Sequence, residues 1–136
     1  MTTCLKVDLR QLKALQKQID RLQKVDFVQF GEAAVKELAA RMLRKVKKRT
    51  RVVTGTLQRN WTVGAVVKNG NTFEIELVNS TEYAAFVEYG HRTRNHRGWV
   101  PGSFMMTVSA QELERDAPKI IEKKLLQFMA KELEGK

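Results

Sequence analysis

Cysteine is all but absent: Cys4 stands alone, so no disulfide can form within the chain and no oxidising compartment is implied. Long apolar runs are missing too; none approaches the about 20 residues a helix needs to cross a bilayer. The opening Met-Thr-Thr-Cys-Leu-Lys-Val-Asp has no basic region followed by an apolar one, so it does not read as a secretory signal, and the expectation is a cytosolic chain with no membrane partner. Internal repeats, low-complexity stretches and phosphate-binding glycine loops are also lacking. Acidic residues are scarce, 15 Asp and Glu against 25 Lys and Arg.

What is present is enough for one folded domain. A length of 136 residues, 43% hydrophobic and 29% charged, suits a single globular core of modest depth. The net charge of +10 is uneven: residues 1–52 carry 14 Lys and Arg against 5 Asp and Glu, and residues 102–136 carry 6 of each. The excess is densest at Arg41, Arg44, Lys45, Lys47, Lys48, Arg49 and Arg51. Cations at a helix C-terminus offset its macrodipole and keep it hydrated. The same block also favours an acidic protein partner or, behind that, DNA, through steering and counterion release.

Apolar periodicity divides the chain. Leu9, Leu12, Leu15, Ile19 and Leu22 recur at helical steps after a capping Asp8, so residues 1–25 are expected as an N-terminal amphipathic helix, fixed or mobile. Its leucine stripe is too short for a coiled coil. Residues 26–136 are expected as one α+β domain. It opens with a helix from Asp26 whose inner face holds Phe27, Phe30, Ala34, Leu38, Met42 or Leu43, and Val46; Gly31 permits a break without requiring one. Val52-Val53-Thr54-Gly55 ends that helix. Strands follow over Trp61–Val67 and Phe73–Leu77, joined by a hairpin at Asn69-Gly70. Phe73, Ile75 and Leu77 should point inward, with Glu74 and Glu76 outward.

Tyr83–Tyr89 fits a short helix or a third strand. A long loop spans Gly90–Gly102, and loops of that length are often functional. A helix over Phe104–Leu113 precedes a new helix start at Asp116-Ala-Pro118. The last helix has Ile120, Ile121, Leu125, Phe128, Met129 and Leu133 on its apolar face and should pack on the sheet. The fold class is α+β: N-terminal helices, a small antiparallel sheet, a long loop and a C-terminal helix.

No catalytic or metal set stands out. His91 and His96 lie five apart on a loop, with Cys4 distant in sequence, short of the four ligands of a structural zinc site. No acidic residue accompanies Asn95-His96 in the loop, which weakens a nuclease reading. Gly98-Trp-Val-Pro-Gly102 lacks the Lys and helix entry of a phosphate loop. Catalytic, metal and cofactor-binding residues are therefore expected to be none, and the chain is expected not to be an enzyme.

The most informative stretch is Tyr83-Ala-Ala-Phe-Val-Glu-Tyr-Gly90 with the loop to Phe104. It joins an apolar, aromatic element to a basic loop punctuated by the turn residues Gly90, Gly98, Pro101 and Gly102. Arg92, Arg94, Arg97 and Trp99 have the character of binding hot spots. Together with Glu88, Arg44, Lys45, Lys47 and Lys48 they are the interface candidates; Trp61 is assigned to the sheet core. Glu88, set among apolar neighbours, needs a partner if buried. Arg92, Arg94 or Arg97 could supply one, from its own subunit or the next.

The order Thr54-Gly55-Thr-Leu57, a hairpin, Tyr83-Ala84 with Val87-Glu88 and Gly90, then Gly98-Trp99-Val-Pro-Gly-Ser-Phe104 and a long helix resembles the head–tail joining or tail-completion proteins of long-tailed bacteriophages. The resemblance runs over roughly residues 26–130. It implies a non-enzymatic structural protein that forms a ring, commonly a hexamer. It implies contacts with connector and tail-tube proteins, assembly in the host cytoplasm, and a place at the head–tail junction of the virion. It also implies that Tyr83–Tyr89 is a short helical turn leading into a strand. The rival reading is a basic nucleic-acid-binding protein, although no known DNA-binding motif is present.

Overall fold

The computed structural model describes residues 1–16, 25–50 and 55–134. Ile19, Leu22, Arg51, Val52, Val53 and Thr54, all used in the expectations above, lie outside the described residues.

The chain begins with a strand, which corrects the helix expected from residue 1. β1 (Thr2–Asp8) pairs antiparallel along its length with β4 (Thr72–Asn79), from Thr2 opposite Val78 to Asp8 opposite Thr72. The alternation was in the sequence: Val7 is buried and Leu5 half-buried, while Thr2, Cys4, Lys6 and Asp8 are exposed. Only then does α1 (Arg10–Gln16) start, with the Asp8 carboxylate accepting the Arg10 amide at 3.0 Å. Leu9 is fully buried.

α2 (Phe27–Arg49) follows. Asp26 caps it by accepting the amides of Val28 and Gln29 at 3.0 and 3.2 Å, meeting two donors that have no partner inside the helix. Gly31 does not break it. The expected inner face is the observed one: Phe27, Phe30, Ala34, Leu38, Met42 and Val46 are all buried, and Met42 rather than Leu43 takes the central place. At its C-terminal end Thr50 is buried, donating its hydroxyl to the Val46 carbonyl and accepting the indole N–H of Trp61 at 2.9 Å. Trp61 thereby sits in the core with its polar atom satisfied, as the sequence suggested.

After α3 (Thr56–Arg59) come β2 (Trp61–Val63), β3 (Val67–Asn69) and then β4. The strand expected over Trp61–Val67 is thus two short strands, both paired with β4, with a break at 64–66. The β3–β4 hairpin exists, shifted by one residue from Asn69-Gly70. Asn69 pairs with Thr72, so Gly70 and Asn71 form the two-residue loop. Among the loop residues only Gly70 has positive φ, 63°, the pattern of a turn with glycine in its first central position. Phe73, Ile75 and Leu77 point inward and are buried.

The last helix is one piece. α5 runs Met105–Glu134 with Pro118 inside it, which corrects the new start expected near Asp116. A proline there removes one N–H from the ladder; its place on the exposed side of the helix leaves the freed carbonyl near water. α5 lies antiparallel on α2. Phe30 meets Phe128 edge-on at 5.7 Å, Glu37 meets Lys124 at 3.2 Å, and Glu112 meets Lys45 at 3.0 Å and Arg49. The two helices cover one face of the sheet and leave the other open, the arrangement expected of a two-layer α+β domain.

Those carboxylates set a pH dependence. Burial opposes ionisation of Glu37, but Lys124 and Arg41 outweigh it and hold the group below its ordinary value. Lys45 and then Arg49 do the same for Glu112. A lowered folded-state pKa contributes stability that is present above the unfolded value and lost as pH falls through the folded one. The α2–α5 contact should therefore weaken below about pH 4.5. In urea titrations, Glu112→Gln should cost stability at pH 7, and the cost should shrink as pH falls below the ordinary carboxylate range; a cost that stays constant would contradict the pairing.

Candidate partner-docking surface

The segment that the sequence left undecided is helical: α4 spans Ala84–Tyr89. Its amphipathicity is inverted. Ala84 and Glu88 are buried, whereas Tyr83, Phe86 and Tyr89 are 43%, 59% and 54% exposed. A six-residue helix that buries a carboxylate and, with its N-cap Tyr83, shows three aromatic rings to water gains nothing for its own core by doing so. Exposed apolar patches of this kind are more common at interaction sites than elsewhere on a protein surface.

The buried carboxylate has a structural task. Glu88 accepts the amides of Met106, at 2.5 Å, and Thr107, at 3.2 Å, in the first turn of α5. These are donors with no partner within their helix, and a negative group is favoured at that end by the macrodipole. Glu88 is thus a cap supplied from another element, 18 residues away. Within the subunit no ion pair joins Glu88 to Arg92, Arg94 or Arg97; this interface candidate is fully buried and is partnered by backbone amides. Burial pushes its carboxyl up from the ordinary range, and the two amides only partly offset this. The same junction is tied by Ser103 and Phe104 amides donating to the Val87 and Glu88 carbonyls at 2.8 and 3.1 Å.

The expected loop is a hairpin. β5 (Gly90–Arg92) pairs antiparallel with β6 (Trp99–Pro101), Gly90 opposite Pro101 and Arg92 opposite Trp99. At its base Gly90 has φ 91°, and a Cβ there would lie 2.6 Å from the Val100 carbonyl oxygen. A Cβ on Gly102 would collide with the Glu88 carbonyl. Both positions need glycine, one for conformation and both for close approach. The tip is pinned by Thr93 and Asn95. Thr93 donates its amide to the Gly98 carbonyl and accepts the Gly98 amide on its hydroxyl, each at 3.0 Å. Asn95 Oδ1 accepts the Thr93 hydroxyl at 2.6 Å and the Arg97 amide at 3.0 Å. The sequence placed the turn glycines but missed these two polar side chains, which tie the tip of the connection together.

The hairpin and α4 share one outward face. Tyr89 and Phe104 meet edge-on with centroids 6.5 Å apart, and Phe86 lies 6.0 Å from the His91 ring. Trp99, 60% exposed, stands against Gly90. Arg92, Arg94 and Arg97 are exposed, and among the described residues none of them forms an ion pair. Aromatic anchors beside unpaired guanidinium groups are the composition of binding hot spots. His91 Nδ1 is buried without a hydrogen-bond partner, and among the described residues no group of three or more His, Cys, Asp or Glu is placed to hold a metal ion.

The other candidates lie elsewhere. Arg44, Lys45, Lys47 and Lys48 sit on the C-terminal half of α2, and Lys45 is engaged with Glu112. Gly55 has φ 82° and caps α3. The structure therefore divides the proposed sites into an aromatic, arginine-rimmed arm and a separate cationic stretch of helix.

Residues 13–90, more than half of the chain, match the family model described as "Bacteriophage HK97-gp10, putative tail-component". The chain belongs to this family. For an HK97-gp10-like tail component, the relevant surfaces are those that meet other structural proteins of the virion. The match includes α2, the sheet strands β2–β4 and all of α4, with its exposed rings and Glu88. Arg92, Arg94, Arg97 and Trp99 lie just beyond it. No curated protein and no solved structure gives a significant match to the chain. Among the described residues no helix is long and apolar enough to cross a membrane.

Proposed function

We propose that this tail component joins the tail to the head, without catalysis, as a ring of subunits at the head–tail interface. The observation that carries the reading is the inverted helix α4 with its hairpin: Phe86, Tyr89, Trp99 and Phe104 exposed beside three unpaired arginines. A surface so costly to leave in water suits a protein whose working state is an assembly. In a ring, repeated heterologous contacts close on themselves, and a modest patch repeated around the ring binds with high avidity. The connector and the tail tube are the partners this reading names, and a position at the junction is the localisation it entails.

The test uses particles from a phage or prophage that carries the gene. Purified protein is mixed with finished tails, or with filled heads, isolated from a strain lacking it. Co-sedimentation with either supports joining. Protein that stays in the supernatant with both would reject it.

A further inference from the structure

We infer that the ridge formed by the C-terminal half of α2 is a binding site for the phosphate backbone of a nucleic acid, separate from the arm and independent of the joining role. Arg44, Lys45, Lys48 and Arg49, with Glu112 of α5, line a concavity of about 350 Å³. Glu112 draws Lys45 and Arg49 inward, fixing two of the cations. Arg44 and Lys48 are exposed, one helical turn apart, and Lys47 lies beside them half-buried. Among the described residues none of these three has an ion-pair partner. With two cations sharing one carboxylate and the others free, the ridge stays strongly positive.

The choice between a nucleic acid and an acidic protein rests on what the ridge lacks. None of the exposed large apolar side chains among the described residues lines it. Specific protein interfaces need buried aromatic or aliphatic anchors, and this molecule puts its anchors on the arm instead. A site made of cations around a single carboxylate that two of them share is built for a polyelectrolyte held by charge and released counterions, with no reading of sequence.

The full chain would be titrated against a fluorescein-labelled 20-base-pair duplex of arbitrary sequence, following anisotropy from 50 to 200 mM salt. Three phosphates neutralised give a slope of log K on log salt near −2.7, so affinity should fall about 40-fold over that range. Arg44→Glu with Lys48→Glu should remove about two-thirds of the slope and at least about tenfold of the affinity at 50 mM salt. The milder pair Arg44→Gln and Lys48→Gln should act in the same direction while preserving the fold by circular dichroism. Arg92→Glu with Arg94→Glu, on the arm, should change affinity by less than about twofold. The inference is overturned by no binding at 50 mM salt, by an unchanged slope in either ridge variant, or by equal losses in the arm variant. It is overturned equally if poly-glutamate of similar charge binds more tightly than the duplex, which would give the ridge to an acidic protein.

Discussion

Glu88→Ala should destabilise the protein by about 3 kcal/mol, measured by urea denaturation at pH 7. The substitution leaves one buried amide, that of Met106, and one partly buried amide, that of Thr107, without their acceptor, and a buried donor left unpaired costs about 1–3 kcal/mol. It also empties a fully buried site at the junction of α4, the hairpin and α5. Glu88→Gln keeps a carbonyl oxygen to accept one amide and should cost about 1 kcal/mol or less. Because burial raises the folded-state pKa of Glu88, its contribution is fully present below the unfolded value and is lost as pH rises through the folded one. That sign is opposite to the one for Glu37 and Glu112. The deficit of Glu88→Gln relative to the wild type should therefore shrink as pH rises from 4 to 8. A deficit that grows with pH would mean that the two amides and the helix dipole outweigh burial, contradicting the upward shift.

Substitutions on the outer face of the same helix should do the reverse. Phe86→Ser, Tyr89→Ser and Trp99→Ser remove side chains that are more than half exposed, so each should change folding stability by no more than about 0.5 kcal/mol. Binding to tails or heads is where the effect should appear. Loss of a central aromatic anchor costs about 2 kcal/mol or more, so Trp99→Ser alone should weaken co-sedimentation about 30-fold. The triple variant should fold normally and fail to bind. Full binding by that variant would move the docking surface elsewhere; a loss of folding stability matching the loss of binding would make the rings structural.

Much of this layout was legible in the sequence, and the failures have physical causes. The inner face of α2 and the alternation of β4 were readable because each element has one buried side and one wet one. β1 was missed although Leu5, Val7 and Leu9 alternate with polar residues, because Leu9 also begins a run of leucines at helical spacing. Such short periods overlap, and pairing with β4, about 70 residues away, decides between them. The partner of Glu88 was misread for a related reason. Nearby arginines looked like natural counterions, but the donors are backbone amides, which carry no mark in a sequence. The hydrogen bonding of the hairpin tip was invisible for the same reason, since Thr93 and Asn95 bond to main chain. Charge density on α2 was plain; that Glu112 engages two of those cations came only from the packing of α5.

The central claim is that this tail component joins heads to tails, and electron microscopy of negatively stained particles tests it most directly. A phage or prophage lacking the gene should yield filled heads and finished tails lying apart, and adding the purified protein should rejoin them. Normal virions in the absence of the gene would contradict the account.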